Sequence, residues 1–295
     1  MGRRGLGTAM ARALAPAKIN LTLEVLARRP DGYHGVRSVM VPLGFGDEVE
    51  YEPAAEFAFS CDRPDLAGDD NLVVRAARAL GGPRFALHLH KRVPTQAGLG
   101  GGSSDAATVL LLAAAGRLGP VEPFDALAVA RSLGSDVPFF LSETAALVEG
   151  TGERVTPLGA VPPWWVTIVA PPAAVSTAHA YARIDRLQRE VRPRNVSRSL
   201  VAGEALQRGD FTAVEDVLWN DFQQIVCEEA PPIARALDAL REAGARNPLL
   251  AGSGACVFAL APDRERAETI ATAVRVSDDF ARIVAPFRAA GRWRA

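Results

Sequence analysis

Lysine is nearly absent from this chain. Of 33 basic residues only two, Lys18 and Lys91, are lysine, and the rest are arginine. A compact ammonium and a planar guanidinium are not interchangeable at a tight site, so lysines that survive such a bias mark positions where an ammonium is needed. Cysteine is also sparse. Cys61, Cys227 and Cys256 are far apart, odd in number and without CxxC spacing, which argues against a disulfide framework or a zinc site and suits a reducing cytoplasm. Net charge is missing too: a formal −1 at pH 7 offers no global field to nucleic acid or an anionic membrane. Any phosphate must therefore be met by a local site, and the expected partners are small molecules. No run reaches the roughly 18 apolar residues of a membrane span. The basic opening MGRRGLGTAM leads into no signal-type apolar core, and Met1 to Met10 reads as an arm without a targeting role.

What is present is enough for a core. With 295 residues and 48% hydrophobic content, the chain can build one large domain or two ordinary ones. Ile19, Leu21, Leu23 and Val25 alternate with polar neighbours, the period of a half-buried strand, and a turn follows at Pro30 to Gly32. Two further strand-like runs in VRSVMVPLGFGDEVEYEP are broken by Gly44 and Gly46, a helix begins near Asp70, and RFALHLHKRV alternates again. After the glycine-rich PTQAGLGGGSSDAA comes a helix expected to run to Gly119-Pro120, then a helix from Pro123 to Leu133 and a hairpin turning at Gly150 to Gly152. Pro162-Pro163 is taken as the domain boundary, giving 11–162 and 163–295. The second part reads as a strand in WWVTIVAPP, helices over Thr177–Glu190, Ser199–Arg208, Phe211–Glu228 and Pro232–Ala243, and strands in NPLLAGSGACVFALAP and ARIVAPF.

The glycine stretch lies between a strand and a helix. No glycine is followed by lysine, so the Walker A pattern fails. The dinucleotide fingerprint fares little better, because Ser103 holds its third glycine position and no strand ends on an acidic residue about 20 positions later. General physics remains: glycines let backbone N–H groups approach a ligand, and the positive end of the next helix favours a phosphate. Ser103 and Ser104 either cap that helix or offer hydroxyls to a phosphate or its magnesium ion. His88 and His90 share a strand face, but no third metal ligand accompanies them, and no protein metal site is expected.

APAKINLTL, DGYH, DNLVVRAA, KRVPTQAGLGGGSSDAA, LGSDVPFFL and AGSGACVF occur in this order between residues 15 and 260. Together they resemble the GHMP kinases, a superfamily that includes galactokinase and the homoserine, mevalonate and phosphomevalonate kinases. PAKINL, GYH and GLGGGSSDAA look most like the members that act on a cytidine-diphosphate-linked methylerythritol. The resemblance implies an α/β (α+β) two-domain fold, with an N-terminal domain like the second domain of ribosomal protein S5 and a ferredoxin-like C-terminal domain. It also implies ATP-dependent phosphorylation of the substrate's 2-hydroxyl in the non-mevalonate isoprenoid route, with magnesium as the nucleotide's partner.

Residue roles follow from the matched motifs. Asp136 matches the family's base for the acceptor hydroxyl and Lys18 its active-site lysine; Asn20, two residues on, shares the strand face of Lys18 and is expected to hydrogen-bond substrate. Pro94, Thr95, Gln96, Ala97, Gly98, Leu99, Gly100, Gly101, Gly102, Ser103 and Ser104 match the loop that holds the ATP phosphates, with Asn71 and Lys91 around the adenine pocket. Tyr33 and His34 match a pair that meets the cytidine end, and Ser176, Thr177 and Tyr181 a segment on the same substrate. Gly252, Ser253 and Gly254 resemble the superfamily's third glycine motif, while Asn220 and Asp221 are read as structural. Ala97 stands where many relatives have glycine, a small change that leaves the phosphates room. Three competing readings are another GHMP small-molecule kinase, a non-catalytic relative that binds nucleotide or sugar, and a dinucleotide oxidoreductase. The presence of both Asp136 and Lys18 argues against the second.

Overall fold

Period-two alternation is carried through by β1 (Ala11–Arg28) and β2 (His34–Pro53), which pair antiparallel across the turn at Pro30–Gly32. The computed structural model describes residues 11–81, 84–188, 196–275 and 280–289. The arm expected over Met1–Met10, and the last residues of the helix expected to end at Glu190, lie outside these. β2 is one strand where two runs were expected. Its glycines sit inside the strand because neighbours crowd them: a Cβ on Gly46 would lie 2.0 Å from the Ala15 carbonyl oxygen. β1 is buried on both faces, not one. Ile19, Leu21, Leu23 and Val25 enter apolar cores, and Lys18, Asn20, Thr22 and Glu24 are also buried, beneath partners of their own.

Around this hairpin the first sheet is seven-stranded. β3 (Ala58–Cys61) and β4 (Phe85–His90) extend it beyond β2, while β5 (Ala145–Gly150) and β6 (Arg154–Gly159) form the expected hairpin and join through β5. α1 (Leu72–Arg78), α2 (Gly101–Ala114), α3 (Ala126–Leu133) and the short α4 (Val137–Phe140) pack with the sheet in a core that includes Phe85, Leu89, Leu110 and Phe139. α2 starts two residues before Ser103 and ends at Ala114, five short of Gly119; Gly116, in the left-handed region, stops it earlier.

The second sheet has four strands, ordered β11-β7-β10-β9. These are β7 (Trp165–Ala170), β9 (Leu249–Leu250), β10 (Val257–Ala261) and β11 (Ala281–Pro286), all antiparallel. α5 (Thr177–Gln188), α6 (Arg198–Arg208), α7 (Phe211–Val217), α8 (Gln223–Glu229), α9 (Pro231–Glu242) and α10 (Arg264–Ala273) accompany them. The single helix expected over Phe211–Glu228 is interrupted. Trp219–Asn220 forms β8, which pairs parallel with Thr22 and Leu23 and so completes the first sheet from the second half of the chain. One core spans both sheets, with Ile19 and Leu43 among the same cluster as Trp164, Val166 and Phe258.

Candidate active site

The loop from Pro94 to Gly100 is held by backbone contacts on two sides. Lys18 N donates to Leu99 O at 2.9 Å, tying the loop to β1, while Ala255 N and Cys256 N donate to Gln96 O and Ala97 O at 3.3 and 3.1 Å. Gly98 lies in the left-handed region, and a Cβ there would meet Ala251 O at 1.8 Å, so no other residue permits this approach. Gly100 occupies the N-cap of α2, also with positive φ, and no side chain caps the helix. Ser104 N bonds Gly100 O, so the amides of Gly101, Gly102 and Ser103 begin the helix without intrahelical acceptors. That is the end of a helix arranged to receive an anion. Ser103 and Ser104 do not cap: Ser104 is fully buried and its hydroxyl has no partner among the described residues.

Beside the loop lies a charged pair. Register shifts in β1 fall between Pro16 and Lys18 and between Asn20 and Thr22, and such bulges re-aim side chains. Lys18 is 3% exposed, and its ammonium donates to Asn20 Oδ1 at 2.7 Å and stands 3.5 Å from Asp136 Oδ2. Asp136 precedes α4 but makes no side-chain cap bond, and its side chain keeps 31% exposure. A helix-capping role is thereby set aside, and the carboxylate faces open space beside a buried cation. Asn20 is oriented by Ser38. The Ser38 hydroxyl donates to Thr22 O at 2.6 Å, so it must accept from Asn20 Nδ2 at 2.7 Å, which leaves Asn20 Oδ1 for the ammonium.

The remaining wall comes from later in the chain. A Cβ on Gly252 would lie 3.3 Å from Lys18 Nζ, so this turn passes directly over the ammonium. Asn220 holds it there, donating from Nδ2 to Leu250 O and Gly252 O at 2.8 and 2.7 Å. Thr177 Oγ1 and Ser253 Oγ are 2.7 Å apart. Gln96, Gly98, Ser176, Thr177, Ser253 and Gly254 line a cleft of about 670 Å³, a volume suited to a nucleotide-sized ligand. Tyr181 stacks on His34 with ring centroids 5.6 Å apart and meets Phe222 edge-on. Burial and the Asp136 charge push its hydroxyl up to about 12, so it is a neutral donor at physiological pH. His34 Nδ1 donates to the Leu26 carbonyl at 2.9 Å, which fixes the orientation of the ring. Tyr33 stands 68% exposed at the tip of the turn.

The loop lines the cleft together with Ser176, Thr177, Ser253 and Gly254, the Lys–Asp pair lies beneath the adjoining Gly252 turn, and Tyr181 lies near enough to feel the Asp136 charge. Residues 71–144 match the family description "GHMP kinases N terminal domain", and residues 203–276 match "GHMP kinases C terminal". A 4-diphosphocytidyl-2-C-methyl-D-erythritol kinase of Symbiobacterium thermophilum is 44% identical over 258 residues, 84% of this chain and 90% of its own length. One from Deinococcus radiodurans is 44% identical over 269 residues, covering 88% and 87%. The chain belongs to the 4-diphosphocytidyl-2-C-methyl-D-erythritol kinase family of GHMP kinases. A crystal structure of a 4-(cytidine 5′-diphospho)-2C-methyl-D-erythritol kinase superposes with TM-score 0.76 at 36% identity, over 94% of this chain and 99% of that one. A homoserine kinase from Cytophaga hutchinsonii shares the fold at TM-score 0.67 and 18% identity, over 100% of this chain and 99% of that one.

Not every residue matched to the GHMP motifs points at the cleft. Asn71 caps α1, accepting from Val73 N and donating to Leu66 O, although the adjacent Leu72 lies 3.8 Å from where a Cβ on Gly102 would be. Lys91 is buried between Asp47 and Asp105. His88 and His90 face Ser60 and Glu50. Ser38, Thr22, Asp47 and Asp105 were not singled out in the sequence reading. Thr22 sits two residues beyond Asn20, so its place on the polar face of β1 was readable. Ser38, Asp47 and Asp105 gain their partners only through strand and helix packing.

Proposed function

We propose that this chain transfers the γ-phosphoryl group of ATP to the 2-hydroxyl of 4-diphosphocytidyl-2-C-methyl-D-erythritol, yielding the 2-phosphate and ADP. The observation that carries the reading is the Lys18–Asp136 pair, 3.5 Å apart at the foot of the glycine loop. Phosphoryl transfer asks little covalent work of a protein; it requires an aligned acceptor and stabilised charge on the transferring group. In this reading Gly98 to Ser103 hold the ATP phosphates with backbone amides. The Asp136 carboxylate orients the acceptor hydroxyl and takes its proton as the new O–P bond forms and the bond to the leaving ADP oxygen breaks. Lys18, fixed by Asn20, offsets negative charge on the phosphoryl oxygens. Tyr181, His34 and Tyr33 receive the cytidine end, and Thr177, Ser253 and Gly254 the region between.

The division of labour places nucleotide grip and base in 11–162 and the substrate wall largely in 163–295, with Tyr33, His34 and β1 shared. Magnesium enters with the nucleotide. No step is assigned to the ion; among the described residues no group of three His, Cys, Asp or Glu side chains is placed to hold a metal. Among the described residues no helix is long and apolar enough to cross a membrane. In this reading the enzyme acts on small molecules in a reducing cytoplasm, where its three cysteines stay free. Phosphate incorporation from ATP tests it. Transfer onto the cytidylylated methylerythritol is expected, and a folded protein that instead phosphorylates mevalonate or homoserine would sink the assignment.

A further inference from the structure

The second of the two lysines has no part in the reaction above. Lys91 follows β4, and its ammonium lies between Asp47 of β2 and Asp105 of α2, bonded to both and 2.8 Å from the latter. Asp47 is fully buried, and its other oxygen accepts from Arg92 N and Val93 N at 2.6 and 2.8 Å. Gly101, the first residue of α2, rests against the same group: a Cβ there would lie 3.1 Å from Asp47 Oδ2 and 3.2 Å from Val93. Residues 91–93 are one foot of the phosphate loop and residues 101–105 are the other. The three side chains join the two feet.

Their electrostatics are coupled as well. Burial works against the Lys91 charge, but Asp105 and Asp47 outweigh it and raise the pKa. Burial, then the Asp47 charge, push the Asp105 carboxyl well above the ordinary carboxylate range. The ammonium thus stands against both carboxyl groups directly beneath the loop. An unneutralised Asp47 at this position would oppose an incoming phosphate at the helix end. A point-charge ammonium on a thin stem can reach two carboxyl groups in a closed gap where a planar guanidinium would need more room, which accounts for lysine here in an arginine-rich chain.

We propose that Lys91 is a positioning residue for the phosphate loop: it clamps the end of β4 to the first turns of α2 and cancels the charge of Asp47 below the phosphates. The proposal rests on the reading of residues 94–104 as the ATP grip, so it is tested with and without nucleotide. The variants are Lys91→Met and Lys91→Met/Asp47→Asn; the second removes both members of the buried ion pair while the amide oxygen can still accept from Arg92 N and Val93 N. ATP and acceptor affinities are measured by calorimetry, and amide hydrogen exchange across 94–101 is followed in the ligand-free protein. A tenfold or greater loss of ATP affinity is expected, with acceptor affinity within twofold and loop exchange at least tenfold faster. Unchanged ATP affinity and exchange in a folded variant overturns the proposal, as does an equal loss for both ligands or failure of both variants to fold. If wild-type protein binds no ATP, the nucleotide reading falls, and the exchange rates alone decide whether the clamp exists.

Discussion

Burying an ammonium costs several kcal/mol in desolvation unless partners offset it. Lys18 has only part of that offset: a neutral amide at 2.7 Å and a half-open carboxylate at 3.5 Å. An arrangement built for stability would close the pair into a shorter bond, as Lys91 does with its own carboxylates. In the proposed reading, the looser spacing leaves Asp136 to hydrogen-bond a substrate hydroxyl while Lys18 faces the phosphoryl group. Asp136→Asn is therefore expected to lower kcat by roughly 10²- to 10⁴-fold, the range of a lost general base. ATP affinity should stay within about threefold, because an amide of the same shape preserves the loop. Steady-state kinetics with an independent nucleotide titration check this. Equal losses in both would point to a folding role for Asp136.

At the scale of elements, the start of α2 shows a tension between helix stability and ligand approach. Glycine at an interior helix position costs about 0.5–1 kcal/mol relative to alanine. At Gly102 an added Cβ would meet only Leu72 Cδ1 at 3.8 Å, an ordinary contact. Gly102→Ala is expected to raise Tm by a few degrees and, in the proposed reading of the loop, to weaken ATP binding by tenfold or more by placing a methyl group against the phosphates. A rise in Tm with unchanged ATP affinity would remove Gly102 from the grip. α6 shows a different coupling. Its N-terminus is closed by Glu24 from β1, which accepts from Ser197 Oγ, Arg198 N and Ser199 N. Burial alone would raise the Glu24 pKa, but bonds from Ser197, Ser199 and Arg198 lower it below the usual glutamate value of 4.5. The folded pKa lies under the unfolded one, so this stabilisation is present above pH 4.5 and is lost as pH falls through the folded value. Glu24→Gln should cost about 1–3 kcal/mol at neutral pH and flatten the fall of Tm on acidification, which melts from pH 7 to pH 3 measure.

Elements with clear alternation or clear stops were legible beforehand, and so was the composition of the loop. β4, β7 and the β5–β6 hairpin needed only local chemistry, and the helices expected from Asp70 and Pro123 form with their starts at Leu72 and Ala126, after the capping Asn71 and Asp125. Where tertiary contacts decide, pattern reading stopped short. No period marks Trp219–Asn220 as a strand, because its pairing partner is β1, nearly two hundred residues earlier. α10 was passed over, since only Ala267 and Ile270 of its ten residues are buried and its apolar face is thin. At the site, motif matching singled out the groups that touch ligand in the proposed reading, but Asn71 and Lys91 turned inward to caps and carboxylates that no linear spacing displays.

The cleft belongs to neither half alone, and the whole molecule should unfold accordingly. Leu43 bridges to Phe287, β8 returns to the first sheet, and apolar residues of both sheets share a core. Asn220 is the polar counterpart of that union. From β8 it donates twice to the 250–252 turn and accepts from Phe222 N at 2.9 Å, so it fixes the turn over Lys18 and the helix beneath Tyr181 together. Asn220→Ala leaves these buried backbone groups without their partner, a loss of about 2–4 kcal/mol for a connected set of bonds. Calorimetry should show a single transition in the wild type, with calorimetric and van't Hoff enthalpies equal, and the same single transition at lower Tm in Asn220→Ala. Two separable transitions in the wild type would contradict a shared core. Because Gly252 then loosens above the ammonium, kcat should fall along with Tm even at temperatures where the variant is fully folded.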